Sequence, residues 1–141
     1  MTTPVAGYSG TPLAKKLGFK PGMRVWFSAM PESVRTEIDP VGIGVDECAT
    51  MEARLDAAHV FVTTRAELAR LATHLRTAIA PGGFIWISWP KKASKQPTDI
   101  TEDVIREIIL PMGLVDVKVC AVDAVWSGLK LMIRRELRSP K

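Results

Sequence analysis

Residues 58–90, AHVFVTTRAELARLATHLRTAIAPGGFIWISWP, decide the fold. The run Ala58-His59-Val60-Phe61-Val62-Thr63 is apolar almost without a break, the pattern of a parallel strand covered on both faces. Thr64 and Glu67 stand three apart as a capping box, and behind them Leu68, Leu71, Ala72, Leu75, Ala78 and Ile79 recur at helical spacing. Pro81-Gly82-Gly83 ends that helix. Phe84-Ile85-Trp86-Ile87-Ser88-Trp89 is a second buried-type strand, broken by Pro90. Two such strands joined through a helix form a right-handed βαβ unit, so a parallel sheet with helices on its faces is expected.

Working outward toward the C-terminus, Asp99 and Glu102 read as a second capping signal before a helix. Its apolar stripe is Val104, Ile105, Ile108, Ile109 and Met112; Pro111 marks the last turn and Gly113 closes it. Residues 114–122 then alternate, with Val115, Val117, Val119 and Ala121 against Asp116, Lys118 and Cys120, and residues 128–135 supply a last strand through Leu129-Lys130-Leu131-Met132-Ile133. Only Asp123-Ala124-Val125-Trp126-Ser127 separates the two. That is too short for a parallel crossover and fits an antiparallel hairpin.

Toward the N-terminus, Met23-Arg24-Val25-Trp26-Phe27-Ser28 predicts the first strand, stopped by Pro31. Before it, Thr11 as N-cap, Pro12 at the first helical position and Gly18 past the end predict a short helix lying as a lid on the sheet. Between residues 31 and 57 the pattern predicts a helix over 32–38, a short strand Val41-Gly42-Ile43-Gly44-Val45 and a second short helix over 50–55. The expectation is one three-layer α/β domain. Its mostly parallel sheet has about five to six strands and ends in an antiparallel C-terminal hairpin.

Composition sets the outer bounds. Of 141 residues, 47% are hydrophobic and 24% charged, which suffices for a packed core and argues against disorder. No stretch approaches the roughly 20 apolar residues of a membrane span, and the N-terminus has no basic cluster or apolar core of a signal peptide. A cytoplasmic location is therefore expected, with Cys48 and Cys120 as reduced thiols. Nineteen basic against 15 acidic residues is a small excess for a nucleic-acid binder. An anionic small molecule or a protein is the expected partner instead.

The segment from Ala58 to Arg135, with Ala80-Pro81-Gly82-Gly83 leading into a strand, resembles the C-terminal half of class I methyltransferases. Tyr8-Ser9-Gly10-Thr11-Pro12-Leu13, Lys15-Lys16-Leu17-Gly18, Ser88-Trp89-Pro90-Lys91-Lys92, Asp116-Val117-Lys118-Val119-Cys120-Ala121-Val122-Asp123 and Trp126-Ser127-Gly128-Leu129-Lys130 are similar to a family of short bacterial proteins known as a domain of unknown function. The resemblance implies a Rossmann-like, methyltransferase-like fold. It also implies a glycine-rich turn after the first strand to admit an adenosyl cofactor, whereas the equivalent stretch here is Ser28-Ala29-Met30-Pro31-Glu32-Ser33. Side chains there are expected to fill the cofactor's space. Residues 31–57 are also too few for the two strands and two helices usual there, so one strand is expected to be missing. The reading that follows is a binding or scaffolding module on a degenerate methyltransferase-like fold, with no cofactor and no catalytic residues; the alternative is a divergent S-adenosylmethionine-dependent methyltransferase.

Ligands of open α/β sheets bind outside the carboxyl ends of the strands, which nominates Ser28, Asp46, Thr63 and Trp89. Asp46, after the expected second strand, is placed for a ribose hydroxyl or, more simply, caps its own loop. Lys91, Lys92 and Lys95 lie between a strand end and a helix start, where charge and helix dipole favour an anion; a solvated, mobile loop is the plainer reading. Trp89 could stack on a base, but a tryptophan ending a buried strand usually belongs to the core. His59 reads as a satisfied core histidine and His74 as a helix-surface residue. Neither stands by sequence near a cysteine for nucleophile activation, and two histidines without a spaced carboxylate pair give no metal site. Trp126 is expected to pack over the sheet end.

Overall fold

The computed structural model describes residues 12–51 and 54–138. In chain order these form α1 (Leu13–Leu17), β1 (Arg24–Ser28), α2 (Glu32–Ile38), α3 (Pro40–Ile43), β2 (Asp46–Cys48), β3 (Leu55–Phe61), α4 (Arg65–Ala78), β4 (Ile79–Pro90), α5 (Glu102–Ile109), β5 (Leu114–Ala121) and β6 (Trp126–Ile133), with short 3-10 turns at Lys92–Ser94, Leu110–Met112 and Arg135–Leu137. The six strands make one sheet in the order β2-β1-β3-β4-β6-β5. β2, β1, β3 and β4 run parallel, and β6 runs antiparallel to both β4 and β5. The order of the parallel strands matches the doubly wound scheme without its outermost strand beyond β2, and β6 is inserted between β4 and β5.

The central position of β3 explains its composition. Every residue of it but Asp56 is buried, because both sheet faces are covered. On one face Ala58, Val60, Ile85, Ile87, Leu129 and Leu131 meet Leu68, Leu71, Ala72 and Leu75 of α4 and Ile105 and Ile109 of α5. On the other, Ala57, Phe61, Phe84 and Trp86 meet Leu13, Ala14 and Leu17 of α1, Phe19, and Val34 and Ile38 of α2. The Trp86 indole N–H donates to the Leu17 carbonyl at 2.8 Å, which fixes α1 as a lid on the sheet. Pro12 stands at the cap position of α1; Thr11, the expected cap, lies outside the described residues.

Several local expectations are corrected. Residues 41–45 do not form a strand, since Pro40 opens a helical turn there. The Asp39 carboxylate accepts the Gly42 N–H at 3.2 Å, and Asp39 and Gly44 bracket the turn with φ of 55° and 81°. β2 follows it, so Asp46 begins a strand instead of following one. No helix forms at the end of 50–55, where Leu55 already opens β3; residues 52 and 53 lie outside the described set. Helix α4 stops at Ala78, and Ile79 pairs with Leu55 at the start of β4. Gly83 is required within that irregular start, because a Cβ there would come within 2.6 Å of the Asp56 carbonyl oxygen. The cap of α5 is Thr101, whose hydroxyl accepts the Val104 N–H at 3.1 Å, and not Asp99. In β5 the register shifts between Asp116 and Lys118, which turns the strand's alternation over and leaves Val117 and Val119 about half exposed at the sheet edge.

Candidate functional site at the carboxyl edge

The loops after β1, β3 and β4 and the turn between β5 and β6 share the carboxyl edge of the parallel strands, where open α/β sheets hold ligands. Ser28 ends β1, half-buried and level with Val60 of β3. Ala29 follows with φ 56°, left-handed and exposed, and Pro31 then caps α2. The backbone at Ala29 thus takes the conformation for which glycine is the usual choice, with one methyl group added.

Thr63, after β3, is a junction. Its N–H donates to the Glu67 carboxylate at 3.3 Å, and its carbonyl accepts the Asp99 N–H at 3.2 Å and the Thr98 hydroxyl at 2.7 Å. The Thr64 hydroxyl accepts the Glu67 N–H at 3.2 Å, so the expected capping box forms with its second bond moved one residue upstream.

The lysine loop is tied down along its length. The Lys91 N–H donates to the Val125 carbonyl at 2.7 Å, and the Ser94 hydroxyl returns to the Lys91 carbonyl at 2.7 Å. Lys92 and Lys95 are exposed, the latter with φ 61°, and Lys91 is half-buried. The helix-dipole contribution expected for an anion is not open here. The α5 N-terminus carries Glu102 and Asp103 in its first turn. That of α4 receives the Asp99 carboxylate, which accepts the Arg65 N–H at 2.7 Å. A cleft of about 270 Å³ does open beside the loop, lined by Trp89, Pro90, Lys92, Thr98, Ile100, Thr101 and Glu102. Trp89 is 7% exposed and belongs to the core beneath it.

Ser28, Thr63, Trp89, Lys91, Lys92 and Lys95 therefore lie along one edge. Asp46 does not: it opens β2 at the amino end, paired in register with Arg24, whose guanidinium is 4.0 Å from its carboxylate. The acid nearest the carboxyl end of β2 is Glu47, which the sequence reading did not single out. Arg35 of α2 grips it with two bonds of 2.9 and 2.7 Å, and that hydrogen bonding holds the Glu47 carboxyl below its ordinary range.

Behind the edge, His59 and Ser88 lie fully buried, with His59 Nε2 and Ser88 Oγ 2.7 Å apart. The imidazole stacks on Phe61 at 4.4 Å, its Nδ1 has no partner, and burial pushes its pKa down to about 3. The histidine is thus core, as expected, but satisfied on one side only. A serine beside a histidine suggests a nucleophile and its base, yet complete burial of both denies a substrate access. His74 is exposed on α4, and Trp126 packs edge-on to Phe61 at 5.1 Å over the sheet end. Cys48 and Cys120 are free thiols, and burial raises the Cys120 pKa. Among the described residues no three His, Cys, Asp or Glu side chains cluster as metal ligands, and no helix is long and apolar enough to cross a membrane.

No family model and no curated protein matches the sequence. Solved structures do match in shape. A putative methyltransferase from Thermoplasma acidophilum superposes with a TM-score of 0.56 at 9% identity, covering 87% of this chain and 73% of that one. A SAM-dependent methyltransferase from Aquifex aeolicus gives 0.56 at 17%, covering 86% and 87%. Magnesium protoporphyrin IX methyltransferase from Synechocystis PCC 6803, solved with bound SAM, gives 0.55 at 11%, covering 86% and 74%. At such identities the likeness is one of fold, and the chain has a methyltransferase-like Rossmann fold with an antiparallel C-terminal pair.

Proposed function

We infer that the carboxyl edge holds an adenosyl ligand and that the chain is a divergent S-adenosylmethionine-dependent methyltransferase. The observation that carries this reading is Ala29. Its exposed, left-handed backbone keeps the turn between β1 and α2 on the path a glycine would give it, so one methyl group, not a remodelled loop, separates this turn from a cofactor-binding one. The Synechocystis structure carries SAM on the same fold. In this reading Ser28 and Thr63 border the adenosyl group, and the cleft beside Trp89 and Lys92 takes the end of a small acceptor. The chain's contribution is to place donor and acceptor in line and exclude water. Free thiols accord with a cytoplasmic site of action, and in this reading the chain is one of the short bacterial proteins that its motifs resemble.

One observation favours a second reading, a binding module without the cofactor. Glu47, the acid closest to where a ribose would lie, is held by Arg35, and Glu32 adds negative charge to the first turn of α2. An anionic small molecule on Lys91, Lys92 and Lys95 would then be the ligand. Isothermal titration of S-adenosylmethionine and its demethylated product into the full chain separates the two. Micromolar binding that tightens several-fold in Ala29→Gly is expected. Absence of heat with both compounds, in wild type and variant alike, overturns the methyltransferase reading in favour of the binding module.

A further inference from the structure

Away from the carboxyl edge, on the sheet face beside α1, Lys118 of β5 and Lys130 of β6 stand directly opposite each other in the antiparallel register. Like charges so placed repel, and such a pair is ordinarily selected against. Lys130 is half-buried, its Nζ 4.4 Å from the Phe84 ring centroid. Lys16, at the end of α1, and Lys118 both act electrostatically on the half-buried thiol of Cys120, so three cations from three elements border one patch. Burial and the Lys118 charge together lower the Lys130 pKa, as expected of a cation crowded by another.

Among the described residues no carboxylate forms an ion pair with Lys118 or Lys130. The two acids of residues 114–135 are engaged elsewhere. Asp116 faces the other side of the sheet, 3.1 Å from Arg106, and Asp123 accepts the N–H groups of Val125 and Trp126 at 2.8 Å. Residues 1–31 contain Lys15, Lys16, Lys20 and Arg24 and no acid.

We propose that the patch formed by Lys118 and Lys130 across the β5–β6 pair, with Lys16 at its border, is a binding site for a phosphate dianion. A doubly charged group bridging the two ammonium groups removes their repulsion and gains two charge-assisted hydrogen bonds, while the Phe84 ring and the end of α1 wall one side of it. The site is independent of the adenosyl reading, since no residue is shared.

Titration of inorganic phosphate into the full chain at constant ionic strength, with chloride as the reference anion, tests it. Saturable binding is expected, weakened about tenfold or more in Lys118→Gln and in Lys130→Gln and unchanged in Arg70→Gln, an exposed position on α4. Heat no larger than with chloride, or affinity that survives both substitutions, overturns the proposal, as does a loss confined to Lys92→Gln. Without phosphate, NMR titration of the lysine side chains should show the Lys130 pKa rising in Lys118→Gln. An unmoved Lys130 would mean that the two ammonium groups do not feel each other, and the site fails on that ground as well.

Discussion

His59 sits under the centre of the sheet with one ring nitrogen bonded to Ser88 and the other bonded to nothing. Its folded pKa of about 3 lies below the roughly 6.5 of an exposed histidine, so the unfolded chain binds the proton more readily. The histidine's contribution to stability is therefore complete above pH 6.5 and is lost as the pH falls from there toward 3. At pH 5 the loss is on the order of 2 kcal/mol, from about 1.4 kcal/mol for each unit below the unfolded pKa. Urea unfolding at pH 7 and pH 5 measures it. His59→Phe should be less stable at pH 7, because the Ser88 hydroxyl loses its partner, yet should change less between the two pH values. An equal acid loss in the variant would assign the sensitivity to other groups. Ala29 is also under local tension, with a left-handed backbone that costs an alanine about 1 kcal/mol. Ala29→Gly removes that cost but loosens the unfolded chain by a similar amount. Its melting temperature should stay within a few degrees of wild type, so a tighter adenosyl affinity in this variant reports access and not a change in folding.

Among the elements, the lysine loop and α4 are coupled by a contact that crosses between them. The Asp99 carboxylate satisfies the free Arg65 N–H at the start of α4. Asp99→Ala should lower stability by about 1 kcal/mol, read as a shift of the denaturation midpoint at constant slope, and Asp99→Asn should restore part of it. A midpoint unmoved in Asp99→Ala would show that Thr64 alone caps the helix. The same contact shows what a sequence pattern can reveal. Thr64, three residues from the N–H it caps, announces itself, as do the stripe of α4 and the unbroken apolar runs of β3 and β4, because periodicity and local capping are written in neighbouring residues. Asp99 stands three residues before Glu102 and so mimics a local cap for α5, while its true partner is 34 residues away. Residues 39–48 mislead for a related reason. Val41-Gly42-Ile43-Gly44-Val45 alternates like a strand, but Asp39 and Pro40 set a helical turn, and the strand that follows, Asp46-Glu47-Cys48, is a polar edge of three residues with no apolar signature. The carboxyl edge was legible from topology, which placed Ser28, Thr63, Trp89 and the lysines together. The Arg35–Glu47 clamp and the opposed Lys118 and Lys130 were not, since both depend on which residues meet across the fold.

At the scale of the whole molecule the sheet is graded from a sealed centre to open margins. β3 and β4 are flanked by strands on both sides and covered on both faces, whereas β2 is three residues long at one edge and β5 is bulged at the other. Opening β2 exposes little apolar surface, since Asp46 and Glu47 are already exposed, but opening β3 breaks both hydrophobic clusters at once. Local unfolding follows that gradient. Hydrogen exchange should find the slowest amides in Val60, Ile85 and Ile87, released only by global unfolding and so tracking stability one for one in denaturant. Cys48 and Val117 should exchange through small openings that denaturant barely affects. A common, denaturant-sensitive rate for Cys48 and Val60 would mean that the margins open only with the centre. The turn after β1 lies between these limits, with β2 on one side and β3 on the other. A ligand bound at Ala29 should therefore slow exchange most in Trp26 and Cys48, where free opening remains to be suppressed, and leave Val60 changed only by the gain in global stability.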